Sequence, residues 1–173
     1  IFFLAAAMLL TLAASAEVIP ANDSRVTYVG RTQVIDNTVS FDWTATYFRI
    51  AFSGNSLTMR ASDTKWDATP EMAAKRHNYY NVWIDSPTSA EPRRIIEVAG
   101  NDTVIELIDP AYLKKSRRAV HEVIVQKRTE GEQGKTTIHE FATDGKFFQA
   151  DPLKSRQLEF IGDSYTCGYG IDA

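Results

Sequence analysis

Apolar and polar residues alternate along most of this chain. Val39-Ser40-Phe41-Asp42-Trp43 alternates, as do Phe48-Arg49-Ile50-Ala51-Phe52 and Leu57-Thr58-Met59-Arg60-Ala61, the last two separated by a short turn containing Gly54-Asn55. A strand points successive side chains to opposite faces, so this period of two marks strands with one buried and one wet face. The Gly-Asn turn between two such runs predicts a hairpin. A second hairpin is predicted from Arg94–Val98 and Thr103–Ile108, joined around Gly100-Asn101. A third is predicted from Ala119–Lys127 and Lys135–Thr143, joined around Glu130-Gly131-Glu132-Gln133-Gly134. Tyr79–Asp85 is one more strand, rich in aromatic and β-branched residues. Many short strands and no long segment of period 3.6 make the fold class mainly β, an antiparallel β-sandwich over residues 25–145. Its expected core is Phe48, Ile50, Phe52, Leu57, Met59, Val82, Ile84, Ile105, Leu107, Val123, Val125, Ile138 and Phe141.

Outside the alternating region the pattern changes three times. Residues 1–16 are uncharged and apolar and end in Ala14-Ser15-Ala16, the hydrophobic core and cleavage site expected of a secretory signal peptide, with its own start truncated. The run is shorter than the roughly 20 residues a membrane span needs. The mature chain is expected to begin near Glu17, secreted or periplasmic and not membrane-bound, with a mobile lead-in to about Arg25. Ser62–His77 is a long loop with a helical turn predicted after Pro70. Lys146–Gln157, charged and centred on Asp151-Pro152, reads as a connector, so residues 146–157 form a linker and 158–173 begin a second domain.

The 173 residues carry a formal charge of −3, without a basic stripe, which excludes nucleic acid as a partner. Cys167 is the single cysteine, so no disulfide forms within the chain. His77, His121 and His139 are isolated in sequence; the third hairpin would let His121 and His139 face each other. A metal centre needs a third ligand at workable spacing, and none is apparent, so no metal or cofactor is expected. Asn22-Asp23-Ser24 and Asn101-Asp102-Thr103 match the glycosylation sequon.

The chemistry lies near the C-terminus. Leu158-Glu159-Phe160-Ile161 reads as a short apolar strand, Gly162-Asp163-Ser164 as a tight turn after it, and Tyr165–Gly170 as the start of a helix. A serine lifted out of a sheet at such a turn is placed for nucleophilic attack, and the backbone N–H groups there can hold an oxyanion. A second glycine after Ser164 would make the α/β-hydrolase elbow, but Thr166 stands in its place. Ser164 is the candidate nucleophile and, through its own N–H, an oxyanion donor; Gly162 and Asp163 shape the turn.

This block resembles the first sequence block of the SGNH or GDSL-type hydrolases. With Val29-Gly30-Arg31, His121–Glu130 and Glu132-Gln133-Gly134, it makes the mature chain similar to carbohydrate esterase family 2. That resemblance implies a jelly-roll sandwich followed by an α/β SGNH hydrolase domain, of which residues 158–173 are the first strand and turn. It implies deacetylation of xylan or glucomannan, an acetylated polysaccharide or oligosaccharide as partner, and Ser164 as nucleophile. The base and the remaining oxyanion donors would follow Ala173, so the chain alone is expected to be inert and residues 158–173 to lack neighbours for pairing. Two alternatives stay open: a GDSL-type lipase or esterase on other esters, and a non-catalytic carbohydrate-binding sandwich with Trp66, Tyr79, Tyr80 and Trp83 as its platform.

Overall fold

The structure is a computed structural model that describes residues 16–65, 69–156, 158 and 160–166. Its strands, numbered in chain order, form two antiparallel sheets of six strands each. In the first, β3 (Gln33–Ile35), β4 (Thr38–Phe41), β11 (Lys135–Thr143), β6 (Leu57–Thr64) and β9 (Thr103–Glu106) lie side by side, and β1 (Glu17–Pro20) also pairs with β11. In the second the order is β12 (Phe147–Phe148), β5 (Tyr47–Phe52), β10 (His121–Lys127), β7 (Asn78–Ile84) and β8 (Arg94–Val98), with β2 (Thr27–Val29) also on β5. The inward positions of both sheets close one core. Every residue of the expected core is buried there except Ile105, which packs against it partly covered. Phe48 and Phe141 meet across the sheets with ring centroids 5.1 Å apart.

None of the three predicted hairpins exists. The strands at Phe48–Phe52 and Leu57–Ala61 belong to different sheets, as do β8 and β9, and β10 and β11. Each turn therefore crosses the sandwich instead of folding back in one sheet. Two sheets stand ~10 Å apart and extended chain covers ~3.3 Å per residue, so a three- or four-residue connection suffices. Turn residues punctuate a chain in either case. At the first crossing Asp144 fixes the turn by accepting from Asn55 N and Ser56 N at 2.7 and 3.0 Å. A tight hairpin does form where none was predicted: Ile35 pairs with Thr38 across Asp36-Asn37, with Asp36 at φ 51°.

In β11 the alternation slips. Ile138 pairs with Ala61 but Glu140 with Arg60, leaving His139 bulged between them. Inward positions change from Thr136 and Ile138 to Phe141 and Thr143. Two core residues three apart in one strand require such a bulge. His139 turns its Nε2 to Ser62 Oγ at 2.7 Å, while His121 lies in the opposite sheet, so the two histidines do not face each other.

The expected mobile lead-in is instead strand β1, registered from Glu17 opposite Thr143 to Pro20 opposite Glu140. Arg25 holds it, with Nε and Nη2 donating to Asp23 at 2.8 and 2.9 Å and Nη1 to Glu17 at 2.9 Å. Glu17 also accepts from Phe147 N at 2.7 Å, which joins β1 to β12. The Phe147 amide first, and the Arg25 guanidinium next, hold the Glu17 carboxyl below its ordinary range; Arg25 does the same for Asp23. Folded pKa values below the unfolded ones mean stability that is present above pH ~4 and is lost as pH falls through the folded values. Arg25→Ala is expected to cost about 1–2 kcal/mol at neutral pH and to flatten the acid limb of a urea-midpoint against pH plot.

Two short α-helical turns and a 3-10 turn at Gly131–Gln133 complete the described fold. The one expected after Pro70 is α1 (Pro70–Ala73), capped by Thr69; α2 (Pro110–Leu113), capped by Asp109, was not expected.

A buried polar network closes one end of the sandwich. Counting inward from Val123 and Val125, the next position of β10 is Lys127, and its side chain is buried as the parity requires. Lys127 Nζ donates to Asn78 Oδ1 at 2.6 Å, to the carbonyls of Thr129 and Glu130 at 3.0 Å each, and to Thr129 Oγ1 at 3.2 Å. Asn78 Nδ2 donates to Asp63 Oδ1 at 2.7 Å, and Asp63 pairs with Lys65. Burial pushes the Lys127 ammonium down to about 8, against the opposing pull of Asp63 and Asp42. Between that value and the unfolded one near 10.5 the unfolded chain binds more protons, so stability rises with pH across this window. Tyr28 and Tyr80 act oppositely, since burial keeps their phenols neutral above pH ~10 and favours unfolding there. From pH ~8 to ~10 a gain of about 2 kcal/mol is expected in urea titrations, and it should vanish in a Lys127→Met variant.

Candidate catalytic turn and sandwich surface

Ser164 sits in a turn whose hydrogen bonds come from Asp163. The Asp163 carboxylate accepts from Tyr165 N at 3.1 Å and its carbonyl from Thr166 N at 3.1 Å. The chain folds so closely here that a Cβ on residue 162 would collide with the Thr166 side chain, which leaves room only for Gly162. Ser164 is exposed. Before it, the described residues 158, 160 and 161 form no strand, and Leu158, Phe160 and Ile161 are 77%, 80% and 90% exposed. A parallel-sheet strand is stable only with covered faces and paired edges, and the sandwich supplies neither at this point. Cys167, Gly168 and Gly170 lie outside the described residues, as do residues 1–15 of the expected leader over residues 1–16.

The connector expected at 146–157 starts as part of the sandwich. Phe147 and Phe148 pair with Phe52 and Ala51, Ala150 is buried, and Asp151 N donates to Glu122 Oε2 at 3.1 Å. Glu122 is itself held by Arg49, with Nη2 at 2.6 Å. A cavity of about 440 Å³ opens beside this stretch, lined by Asp85, Arg118, His121, Glu122 and Asp151 among others. In its wall His121 Nδ1 and Asp85 Oδ2 are 2.6 Å apart, and Asp85 Oδ1 accepts from Glu122 N at 3.0 Å. His77 Nδ1 contacts Glu97 Oε1 at 2.6 Å. All three histidines thus have partners within the sandwich, and among the described residues no three His, Cys, Asp or Glu side chains are grouped to hold a metal.

Among the described residues, Tyr79, Tyr80 and Trp83 do not assemble the proposed aromatic platform. Tyr80 points into the core, where its hydroxyl meets Thr136 Oγ1 at 2.6 Å. Trp83 is on the outer face but covered, with Nε1 donating to Ala90 O at 2.8 Å. Tyr79 stacks on His77, and Trp66 lies outside the described residues. The exposed indole among the described residues is Trp43, in the crossing from β4 to β5, 56% accessible and with the Arg31 guanidinium 4.7 Å over its ring. It borders a second concavity of about 230 Å³. Period two had placed Trp43 in a strand, on the same parity as core Val39 and Phe41; the strand ends at Phe41, and the turn frees the ring.

Comparison with known proteins adds the following. Residues 28–152 match the family described as Carbohydrate esterase 2 N-terminal. Over 133 residues the chain is 30% identical to an acetylxylan esterase / glucomannan deacetylase of Cellvibrio japonicus, covering 76% of this chain and 30% of that protein. Its fold is similar to a family two carbohydrate esterase from Cellvibrio japonicus, with TM-score 0.71 and 23% identity, over 89% of this chain and 41% of that one. It is also similar to a family two carbohydrate esterase from Clostridium thermocellum in complex with cellohexaose, with TM-score 0.66 and 23% identity, over 84% of this chain and 39% of that one. The chain spans less than half the length of each of these relatives. By the match over residues 28–152, it belongs to the carbohydrate esterase 2 family, whose N-terminal domain this sandwich is.

Proposed function

We propose that this chain is the amino-terminal part of a secreted carbohydrate esterase that removes O-acetyl groups from plant cell-wall polysaccharides such as xylan or glucomannan. The observation that carries the reading is the Gly162-Asp163-Ser164 turn placed shortly after a family region that ends at residue 152. Relatives named for acetylxylan and glucomannan deacetylation support the substrate class. In this reading Ser164 Oγ attacks the acetyl carbonyl while a base supplied by sequence after Ala173 takes its proton. The Ser164 N–H helps hold the oxyanion, the sugar oxygen leaves with a proton, and water then hydrolyses the acyl-enzyme. Asp163 acts through the turn by holding the backbone that aims Ser164.

The sandwich contributes a fixed base for the second domain. Exposed Leu158, Phe160, Ile161 and Tyr165 are the side chains that such a domain would bury. The chain by itself is then an inert piece of the esterase. Acetate release from acetylated xylan by the full-length protein, compared with its Ser164→Ala variant, tests the proposal. Turnover of long-chain esters but not of acetyl esters would contradict the polysaccharide reading.

A further inference from the structure

The Trp43 loop is fixed by the same network that buries Lys127. Ala45 takes a left-handed backbone, φ 65°, which a side-chain-bearing residue adopts only where its surroundings impose it. Here they do. Ala45 N donates to Lys127 O at 2.9 Å, Lys127 N to Thr46 O at 2.9 Å, and Thr46 N to Trp43 O at 3.3 Å. Thr44 Oγ1 donates to Thr129 O at 3.2 Å. On the other side Gly30, at φ 109°, lets β2 approach so closely that a Cβ there would lie 2.8 Å from Thr46 Oγ1. A large apolar ring is thus held at the surface by a strained turn stapled to the core.

The concavity beside the ring is part apolar and part polar. Arg31, Gln33, Ser40, Asp42 and Lys135 line it with Trp43, offering a guanidinium, an amide, a hydroxyl, a carboxylate and an ammonium. The charges are two cations and one carboxylate, with the Arg31 guanidinium stacked over the Trp43 ring, and the amide, hydroxyl and carboxylate among them suit a ligand with many hydroxyls. One flat apolar face beside a few placed polar groups is what a sugar ring requires, since its C–H face is apolar and its edge is all hydroxyl. A rigid platform also spares the ligand the entropy of ordering a loop. The site belongs to a different part of the chain from Ser164: Trp43 lies in the crossing from β4 to β5, whereas the Ser164 turn follows β12, which pairs with Phe52 and Ala51.

We propose that Trp43, with Gln33, Asp42 and Lys135, forms an accessory binding site for a neutral polysaccharide chain, distinct from the Ser164 turn. The ligand class rests on the polysaccharide reading above, but the site needs no acetyl group and no esterase activity. The test uses the 173-residue chain carrying Trp66→Phe, so that Trp43 is the exposed indole and Trp83 the buried one. Xylohexaose and cellohexaose are titrated while fluorescence and acrylamide quenching are followed, with a glucuronic-acid-bearing xylo-oligosaccharide as a third arm. Neutral oligosaccharide should shield Trp43; Trp43→Ala should weaken binding about tenfold or more, and Trp43→Tyr should retain most of it. Undiminished binding by Trp43→Ala, no binding by the parent chain, or binding of the acidic oligosaccharide alone would each overturn the proposal. So would a full-length protein in which Trp43 is already shielded without sugar, since a domain interface would then cover it. Because the oligosaccharides carry no acetyl group, failure here leaves the Ser164 reading standing, and an inactive Ser164 leaves this one standing.

Discussion

Replacing Lys127 by Met is expected to lower stability by about 3 kcal/mol at neutral pH, a large share of the 5–15 kcal/mol typical of a domain. The two side chains have similar length, so the change opens little space. What it removes is a donor set. The carbonyls of Thr129 and Glu130 lose Nζ and keep one donor each, Thr44 Oγ1 at 3.2 Å and Gln133 N at 3.1 Å, while Asn78 Oδ1 keeps Thr129 Oγ1 at 3.2 Å. Each hydrogen bond lost from a charged donor is worth about 1.5–3 kcal/mol, and relief from burying an ammonium returns part of the sum. The loss is local as well as global. The turn after β10 carries the backbone that holds Ala45, so amide exchange at Ala45 and Arg128 should accelerate more than exchange in the core of β5. An unchanged urea midpoint with unchanged exchange would mean that the network is ornamental.

Lys127 also shows where sequence reasoning succeeded and where it stopped. Alternation placed the core correctly in both sheets, because a half-buried strand must present one apolar face. The same alternation, followed in both directions from Val123 and Val125, points His121 and Lys127 inward; side-chain chemistry alone would have placed both in water. Connectivity was less legible. Ser53-Gly54-Asn55 and Gly100-Asn101 mark reversals, but a reversal within a sheet and a crossing between sheets use the same residues, and only long-range pairing decides between them. The strand at Glu17–Pro20 was hidden for a related reason: it is short and ends in proline, and its pairing partner β11 lies more than a hundred residues away.

The turn at Gly162-Asp163-Ser164 was legible as a turn, since Gly-Asp-Ser after an apolar run is a common reversal, and the fold places it beyond the sandwich, exposed. In the proposed reading its base and the other oxyanion donors come from sequence after Ala173, so its catalytic surroundings were not legible. Trp43 was passed over because its alternating run resembled a strand to its last residue; the signal that could have found it is the loss of apolar partners after Trp43, at Thr44-Ala45-Thr46.

The largest effect of all is expected at Ser164. A serine nucleophile and its base act as one unit, so removing the hydroxyl forfeits most of the chemistry, about 10³-fold or more in the rate of acetate release. In the 173-residue chain the turn is exposed, and there Ser164→Ala should leave the unfolding free energy within about 0.5 kcal/mol of the parent. Asp163→Asn keeps an acceptor for Tyr165 N and is expected to lose far less than Ser164→Ala, because Asp163 shapes the turn.

The most direct measurement is therefore acetate release from acetylated xylan by the full-length protein and by its Ser164→Ala variant at equal folded concentration. The account predicts release by the parent and its near-complete loss in the variant. Release that survives the substitution would contradict it, and would reduce Gly162-Asp163-Ser164 to an ordinary turn.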